Sequence, residues 1–320
     1  MSSGPVTSRH RRAGAAPRTV LLWAVIMVAA ATGLYFVAPW ILPPRIREGP
    51  LVQMATTDGV TLVWYTTRPA ACRVAVTIGP QSREFEATAA GTRHRVRISG
   101  LAPDSSYPYE IRSGGRRLVG GLAFQTNRAA GERFTFLVFG DSGTGGRSQY
   151  LLGGLMARTM PPADFLLHTG DLVYPDGARR RYEERFFAPY RDELARVSFW
   201  PCLGNHDVGA QGRAPAYEEV FDLPANGPPT LPVGHCYWFD YSTARIAVID
   251  SNLDEPTLQD KVAPWLQEVL ATREPRWKFV AFHHPPYTGG QYAPDVRIQR
   301  TLVPVIEAAG VDVVFLGHDH

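Results

Sequence analysis

Hydrophobic and polar positions along the chain fall into two regimes. From about Ile46 to Thr126 they alternate, in short runs at residues 61–65, 73–77, 94–98 and 107–111 separated by turn signals such as Asp58-Gly59 and Gly79-Pro80. A period of two in segments rich in β-branched and aromatic residues predicts half-buried strands, and several such strands at close spacing predict a small β-sandwich. From Phe134 onward, continuous apolar runs take turns with helix-period segments. Strands are predicted at 134–139, 165–167, 197–200, 278–282 and 311–316, helices at 149–160, 179–195, 257–271 and 296–309, and a hairpin from 236–241 and 245–250. This order predicts an α/β fold, and the proline- and glycine-rich stretch 209–234 reads as a loop rimming its site.

The five apolar strands share one ending. They run into Gly140-Asp141-Ser142-Gly143, Gly170-Asp171-Leu172-Val173-Tyr174, Gly204-Asn205-His206-Asp207, His283-His284-Pro285-Pro286 and Gly317-His318-Asp319-His320. One such ending is an ordinary turn. Five of them at the carboxyl edges of strands, where open α/β sheets gather their ligands, describe a single cluster of oxygen and imidazole donors. His318 and His320 stand two apart in an extended segment, so both point to one face while Asp319 points away.

In this order the motifs resemble the calcineurin-like metallophosphoesterases, and Tyr174 with the preceding β-sandwich is similar to the purple acid phosphatases among them. The stretch from Ser99 to Tyr107 resembles the turn and tyrosine corner of fibronectin type III-like modules. The resemblance runs from about Ile46 to His320. It implies a fibronectin type III-like β-sandwich over 46–126, then a four-layer α-β-β-α metallophosphoesterase domain over 133–320. Related folds continue with further strands after the last motif, so this domain is expected to be C-terminally incomplete.

The same resemblance implies two metal ions, one held by Asp141, Asp171, Tyr174 and His320, the other by Asp171, Asn205, His283 and His318. Asp171 would bridge them, and a shared carboxylate suits the spacing of about 3.5–4 Å in two-metal hydrolases. A phenol with a reference pKa of about 10 ionises beside a strongly charged cation, so Tyr174 points to Fe(3+) at the first position. Fe(2+), Zn(2+) and Mn(2+) all suit the second. The family pattern favours His283 over His284 as the ligand and leaves His284 near the substrate. His206 matches the histidine beside the leaving group, where it either protonates the departing alkoxide or only orients ligands, and Asp207 either orients His206 or caps the next turn. The reaction implied is hydrolysis of a phosphate ester by water that the metals activate, with a phosphomonoesterase expected first. A phosphodiesterase with the same centre, and a surface binding or scaffold protein whose metal domain is inactive, are the other readings.

The N-terminal residues follow neither regime. Arg9, Arg11, Arg12 and Arg18 precede an uncharged run over residues 19–42, about long enough to cross a bilayer as a helix. This predicts a transmembrane anchor, with 1–18 as a basic cytoplasmic tail and the remainder extracytoplasmic. Ala29-Ala30-Ala31 keeps a cleaved signal peptide and secretion as the other reading, and Arg11-Arg12 a twin-arginine signal. The formal charge of +3, from 33 basic and 30 acidic residues, supplies no positive field that would make nucleic acid the main partner. Cys72, Cys202 and Cys236 are too few for a disulfide framework or a zinc ribbon, though Cys202 and Cys236 could pair outside the cytoplasm. His168, inside a strand, is expected to be a hydrogen-bonded core residue.

Overall fold

The computed structural model describes residues 43–88, 91–209, 212–272 and 274–320. The expected tail and anchor, residues 1–42, lie outside the described residues. Among the described residues no helix is long and apolar enough to cross a membrane.

The alternating region forms two antiparallel sheets. One holds β1 (Ile46–Thr56), β2 (Gly59–Ala70) and β5 (Gly91–Ser99) in the order β1-β2-β5; the other holds β3 (Arg73–Ile78), β4 (Gln81–Glu86), β6 (Ser106–Ser113) and β7 (Arg116–Gln125) in the order β4-β3-β6-β7. Trp64, Val74, Ile98, Ile111 and Phe124 pack between them. Tyr107 Oη accepts the Ala102 amide at 2.8 Å and ties the turn before β6 to its strand. The period-of-two reading does not single out β1. Its sheet is covered on both sides: Val52 and Trp64 face the sandwich core, while Leu51, Val63 and Tyr65 join the core of the region that follows.

That second region contains a parallel sheet, β10-β9-β8, made of β8 (Phe136–Phe139), β9 (Phe165–His168) and β10 (Ser198–Pro201). A mixed sheet follows, β11-β12-β13-β14, made of β11 (Tyr237–Tyr241), β12 (Ala244–Val248), β13 (Trp277–Ala281) and β14 (Val313–Phe315); only the β11–β12 hairpin is antiparallel. The two sheets meet face to face through aromatic rings. Trp200 stacks on Phe239 with centroids 4.0 Å apart, Phe165 lies 5.6 Å from Phe239, and Phe136 lies 5.8 Å from Phe279. Helices at Arg147–Met156, Ala263–Leu270 and Val303–Ala308 bury Met156, Leu266, Leu270 and Ile306 in the same core, giving a mixed α/β architecture.

Several predictions change in detail. The stretch 179–195 is broken into a 3₁₀ turn at Arg179–Arg181, a π-helical turn at Glu183–Phe187 and a short helix at Arg191–Leu194, because Pro189 lacks the amide that a continuous helix needs. Pro304 likewise splits the C-terminal helix into Val296–Thr301 and Val303–Ala308. The predicted loop 209–234 contains a helix, Pro215–Val220, with proline at its first position. The three cysteines are free and buried, so Cys202 and Cys236 are not paired.

The sandwich is docked on this helix and its neighbours. Arg179 reaches Glu48 Oε1 at 3.1 Å and Glu219 Oε1 at 2.9 Å, Arg95 pairs with Asp222, and Tyr65 Oη donates to the Glu219 carbonyl at 2.9 Å.

Candidate metal centre

Parallel strands deliver their C-terminal loops to one edge, and there the five polar endings meet. β8 carries Asp141, β9 carries Asp171 and Tyr174, β10 carries Asn205 and His206, β13 carries His283 and His284, and β14 carries His318 and His320. Three of these residues have left-handed backbone, Asp141 at φ 53°, Asp171 at φ 57° and His318 at φ 72°. Such conformations cost a non-glycine residue about 1–2 kcal/mol and collect at functional sites. Neighbouring loops hold them: the Asp141 amide donates to the Gly170 carbonyl at 3.0 Å, and the His318 amide to Asp141 Oδ1 at 3.0 Å.

Two groups of donors result. In the first, Tyr174 Oη lies 3.5 Å from Asp141 Oδ1 and 3.2 Å from His320 Nε2, which is itself 3.4 Å from Asp141 Oδ1. In the second, His283 Nε2 lies 3.1 Å from Asn205 Oδ1 and 3.5 Å from Asp171 Oδ1. Asp171 is buried between the two groups, and Asp141, Asp171 and His283 each place a donor atom within 4.8 Å of the others.

His283 tests whether this set fits a cation. Its Nδ1 bonds the Thr169 carbonyl at 2.8 Å; a carbonyl only accepts, so Nδ1 carries a proton, and in the neutral ring Nε2 presents a lone pair. That lone pair faces a carboxylate oxygen and an amide oxygen, acceptor against acceptor, an arrangement that a positive charge between them, a proton on Nε2 or a metal ion, relieves. Electrostatics point the same way. Burial, reinforced by the Asp171 carboxylate, holds the Asp141 carboxyl above the ordinary range, and burial beside Asp171 and Asp141 pushes the Tyr174 phenol far up. The residues present therefore suit a bound metal ion, with nitrogen, carboxylate, amide and phenol donors already turned inward.

The other expected residues lie around this core. His206 donates its amide to Asp171 Oδ1 at 2.9 Å, its Nδ1 bonds the Pro175 carbonyl at 2.6 Å, and its Nε2 stands 3.9 Å from Asp171 Oδ2. The His318 ring sits among His283, His284 and Tyr292, stacked on the last at 4.4 Å. His284 turns away from the carboxylates and bonds Ser251 Oγ through Nδ1 at 2.8 Å; burial, with His283 and His318 nearby, brings its pKa down to about 4. Asp207 does not orient the His206 ring. It is buried and accepts the amides of Leu172, Val173 and Gly204, clamping the Asp171 and Asn205 loops together. Asp319 turns away from its neighbours as expected, toward Thr288 and the Gln291 amide.

Sequence reasoning passed over the supports of the site. Thr169 sets the tautomer of His283. His168, buried as expected, accepts the Gly170 amide on Nδ1 and so donates from Nε2 to Ser142 Oγ at 3.1 Å, linking the Asp141 and Asp171 loops. Ser251 could have been found, since Asp250-Ser251-Asn252 follows an apolar run in the same way as the five motifs.

Comparison with known proteins agrees with this geometry. Residues 134–320 match the family model for calcineurin-like phosphoesterases. The chain is 26% identical to tartrate-resistant acid phosphatase type 5 of Rattus norvegicus over 183 residues, 49% of this chain and 55% of that one. It is 24% identical to purple acid phosphatase 3 of Arabidopsis thaliana over 212 residues (58% and 57%), and 25% identical to the uncharacterized protein Rv2577 of Mycobacterium tuberculosis over 283 residues (75% and 52%). The chain thus spans about half the length of these curated relatives. Among solved structures it is similar to GAP50, the anchor in the inner membrane complex of Plasmodium, at 18% identity and a TM-score of 0.46, over 57% of this chain and 65% of that one. With its family match running from the first strand of the parallel sheet through the last histidine of the site, the chain belongs to the calcineurin-like phosphoesterases and is similar, within them, to the purple acid phosphatases.

Proposed function

We propose that the chain is a phosphomonoesterase of the purple acid type that works with two metal ions. Asp141, Asp171, Tyr174 and His320 would hold one ion, and Asp171, Asn205, His283 and His318 the other. The observation that carries this reading is the convergence of His283 Nε2 with Asp171 and Asn205 oxygens, with Asp171 buried between both donor groups. The phenol of Tyr174 supports Fe(3+) at the first position, with Fe(2+), Zn(2+) or Mn(2+) at the second. When bound, such ions supply activation of water and neutralisation of the phosphoryl oxygens. The chain's own groups do the rest. His206, anchored by its amide to Asp171 and by Nδ1 to Pro175, keeps Nε2 free at the mouth of the site, where the imidazolium form would give a proton to the leaving oxygen. Asp207 holds the loops that carry Asp171 and Asn205 in register.

In this reading residues 46–126 are a fibronectin type III-like scaffold, residues 133–320 the catalytic domain, and residues 19–42 the anchor that holds it outside the cell. The acid phosphatases among the relatives favour a monoester substrate. The test is metal content and turnover of p-nitrophenyl phosphate and bis(p-nitrophenyl) phosphate by the full chain and by Asp171→Ala. We expect metal in the native chain, faster turnover of the monoester, and loss of both metal and activity in the variant. Preference for the diester would move the assignment to a phosphodiesterase, and a native chain without metal or turnover would reject it.

A further inference from the structure

We infer that His284 is a neutral hydrogen-bond donor to an oxygen of the phosphate ester, not a metal ligand, and that Ser251 is the positioning residue that makes it so. This rests on the phosphatase reading above. Distance alone leaves the matter open, since His283, His284 and His318 each place a nitrogen within 4.8 Å of the others, close enough to share a cation.

The hydrogen bonds around Ser251 settle the protonation. Ser251 is fully buried just beyond β12, beside the loop after the parallel neighbour β13. Its Oγ accepts the His283 amide at 3.2 Å and the His284 amide at 3.1 Å. A serine hydroxyl has two lone pairs and one proton. With both lone pairs occupied by backbone donors, the contact of 2.8 Å to His284 Nδ1 is one in which Ser251 donates and the ring nitrogen accepts. A neutral imidazole with a bare Nδ1 carries its proton on Nε2, so neither nitrogen has a lone pair to offer a metal.

The Nε2–H has a place to act. His284 and His318 line the same open cleft, of about 350 Å³, together with Pro285, Ala293 and Val296. Asp295, the carboxylate in that wall, is already engaged by the Arg297 guanidinium and by the amides of Arg297 and Ile298. Among the described residues no acceptor pairs with His284 Nε2. A donor left unpaired beside an imidazole of the proposed centre fits an acceptor oxygen on the substrate, and being uncharged it favours a phosphoryl or ester oxygen without competing for the metals.

The test separates the two nitrogens by shape. Asparagine at 284 keeps an acceptor where Nδ1 stood, and glutamine keeps a donor where Nε2 stood. In the full chain with zinc, long-range proton–nitrogen correlation spectra of labelled histidine should show His284, identified by its absence in His284→Gln, with Nε2 protonated and Nδ1 bare. Metal per chain should be the same in wild type, His284→Gln and His284→Asn. Calorimetry with inorganic phosphate should show binding weakened about tenfold in His284→Asn, the size of one neutral hydrogen bond, and clearly less in His284→Gln. A protonated Nδ1, loss of metal in either variant, or equal weakening by both would overturn the assignment of His284. A native chain that binds no zinc and hydrolyses no phosphate ester would instead overturn the phosphatase reading, and the substrate named here with it.

Discussion

Gly204 packs against Asp171 so closely that a β-carbon on it would overlap both the carboxylate Oδ1 and the backbone nitrogen of that residue. The glycine at the start of the Gly-Asn-His-Asp motif is thus a matter of space for the shared carboxylate. Gly204→Ala must push Asp171 aside, and a shift of about 1 Å in such a group costs on the order of a hundredfold in rate. We expect a folded variant, checked by circular dichroism, with metal content and phosphatase turnover both reduced.

Tyr174 gives an optical prediction. Burial and the Asp171 and Asp141 carboxylates raise its phenol pKa, so the metal-free chain should show no tyrosinate absorbance from this residue even near pH 10, the ordinary phenol value. Iron loading should ionise it and produce a visible band, and Tyr174→Phe should abolish that band. An unchanged visible spectrum in the variant would remove iron from the Tyr174 position.

Acid should weaken the fold through His168. Burial lowers its pKa to about 3, against about 6.5 in an unfolded chain. Because the folded value is depressed, the unfolded state takes up a proton first as pH falls. The stability this side chain provides is complete above about pH 6.5 and is lost progressively toward pH 3. At 1.36 kcal/mol per pH unit, the loss between pH 6.5 and pH 5 is about 2 kcal/mol. Denaturant titrations at pH 5 and pH 7 should show this difference in the native chain and a smaller one in His168→Asn, which keeps an acceptor for the Gly170 amide but does not titrate.

Docking of the β-sandwich depends on a nearly buried ion pair. Glu48 is 4% exposed and its carboxylate meets Arg179, whose guanidinium also lies 4.5 Å from the centre of the Tyr65 ring. Glu48→Ala leaves Arg179 in a buried setting with Glu219 alone, and breaking such a pair on one side costs about 3 kcal/mol. Thermal unfolding should fall accordingly, while Arg47→Ala, whose side chain is 48% exposed, should change it by less than about 1 kcal/mol.

The elements that could be read in advance are those whose cause is local. Alternation over residues 94–98, the β-rich run 61–65, apolar runs such as Phe165-Leu166-Leu167, and the polar ending after each strand follow from backbone period and turn chemistry, which act over a few residues. β1 and β2 are both covered on two faces; β2 is legible through its β-branched and aromatic residues, of which β1 has fewer. The helix over 179–195 failed because Pro189 outweighs the periodicity around it.

The same division runs through the site. Residue order alone determined which side chains gather at the carboxyl edge, since parallel strands send their loops to one end. Tertiary structure decided how each is presented: Thr169 fixes the His283 tautomer across 114 residues, Ser251 fixes that of His284 across 33, and Asp207 binds backbone rather than His206. A hydrogen bond chooses its partner by the register of neighbouring strands and the lone pairs left over there, and neither is contained in any short stretch of the chain.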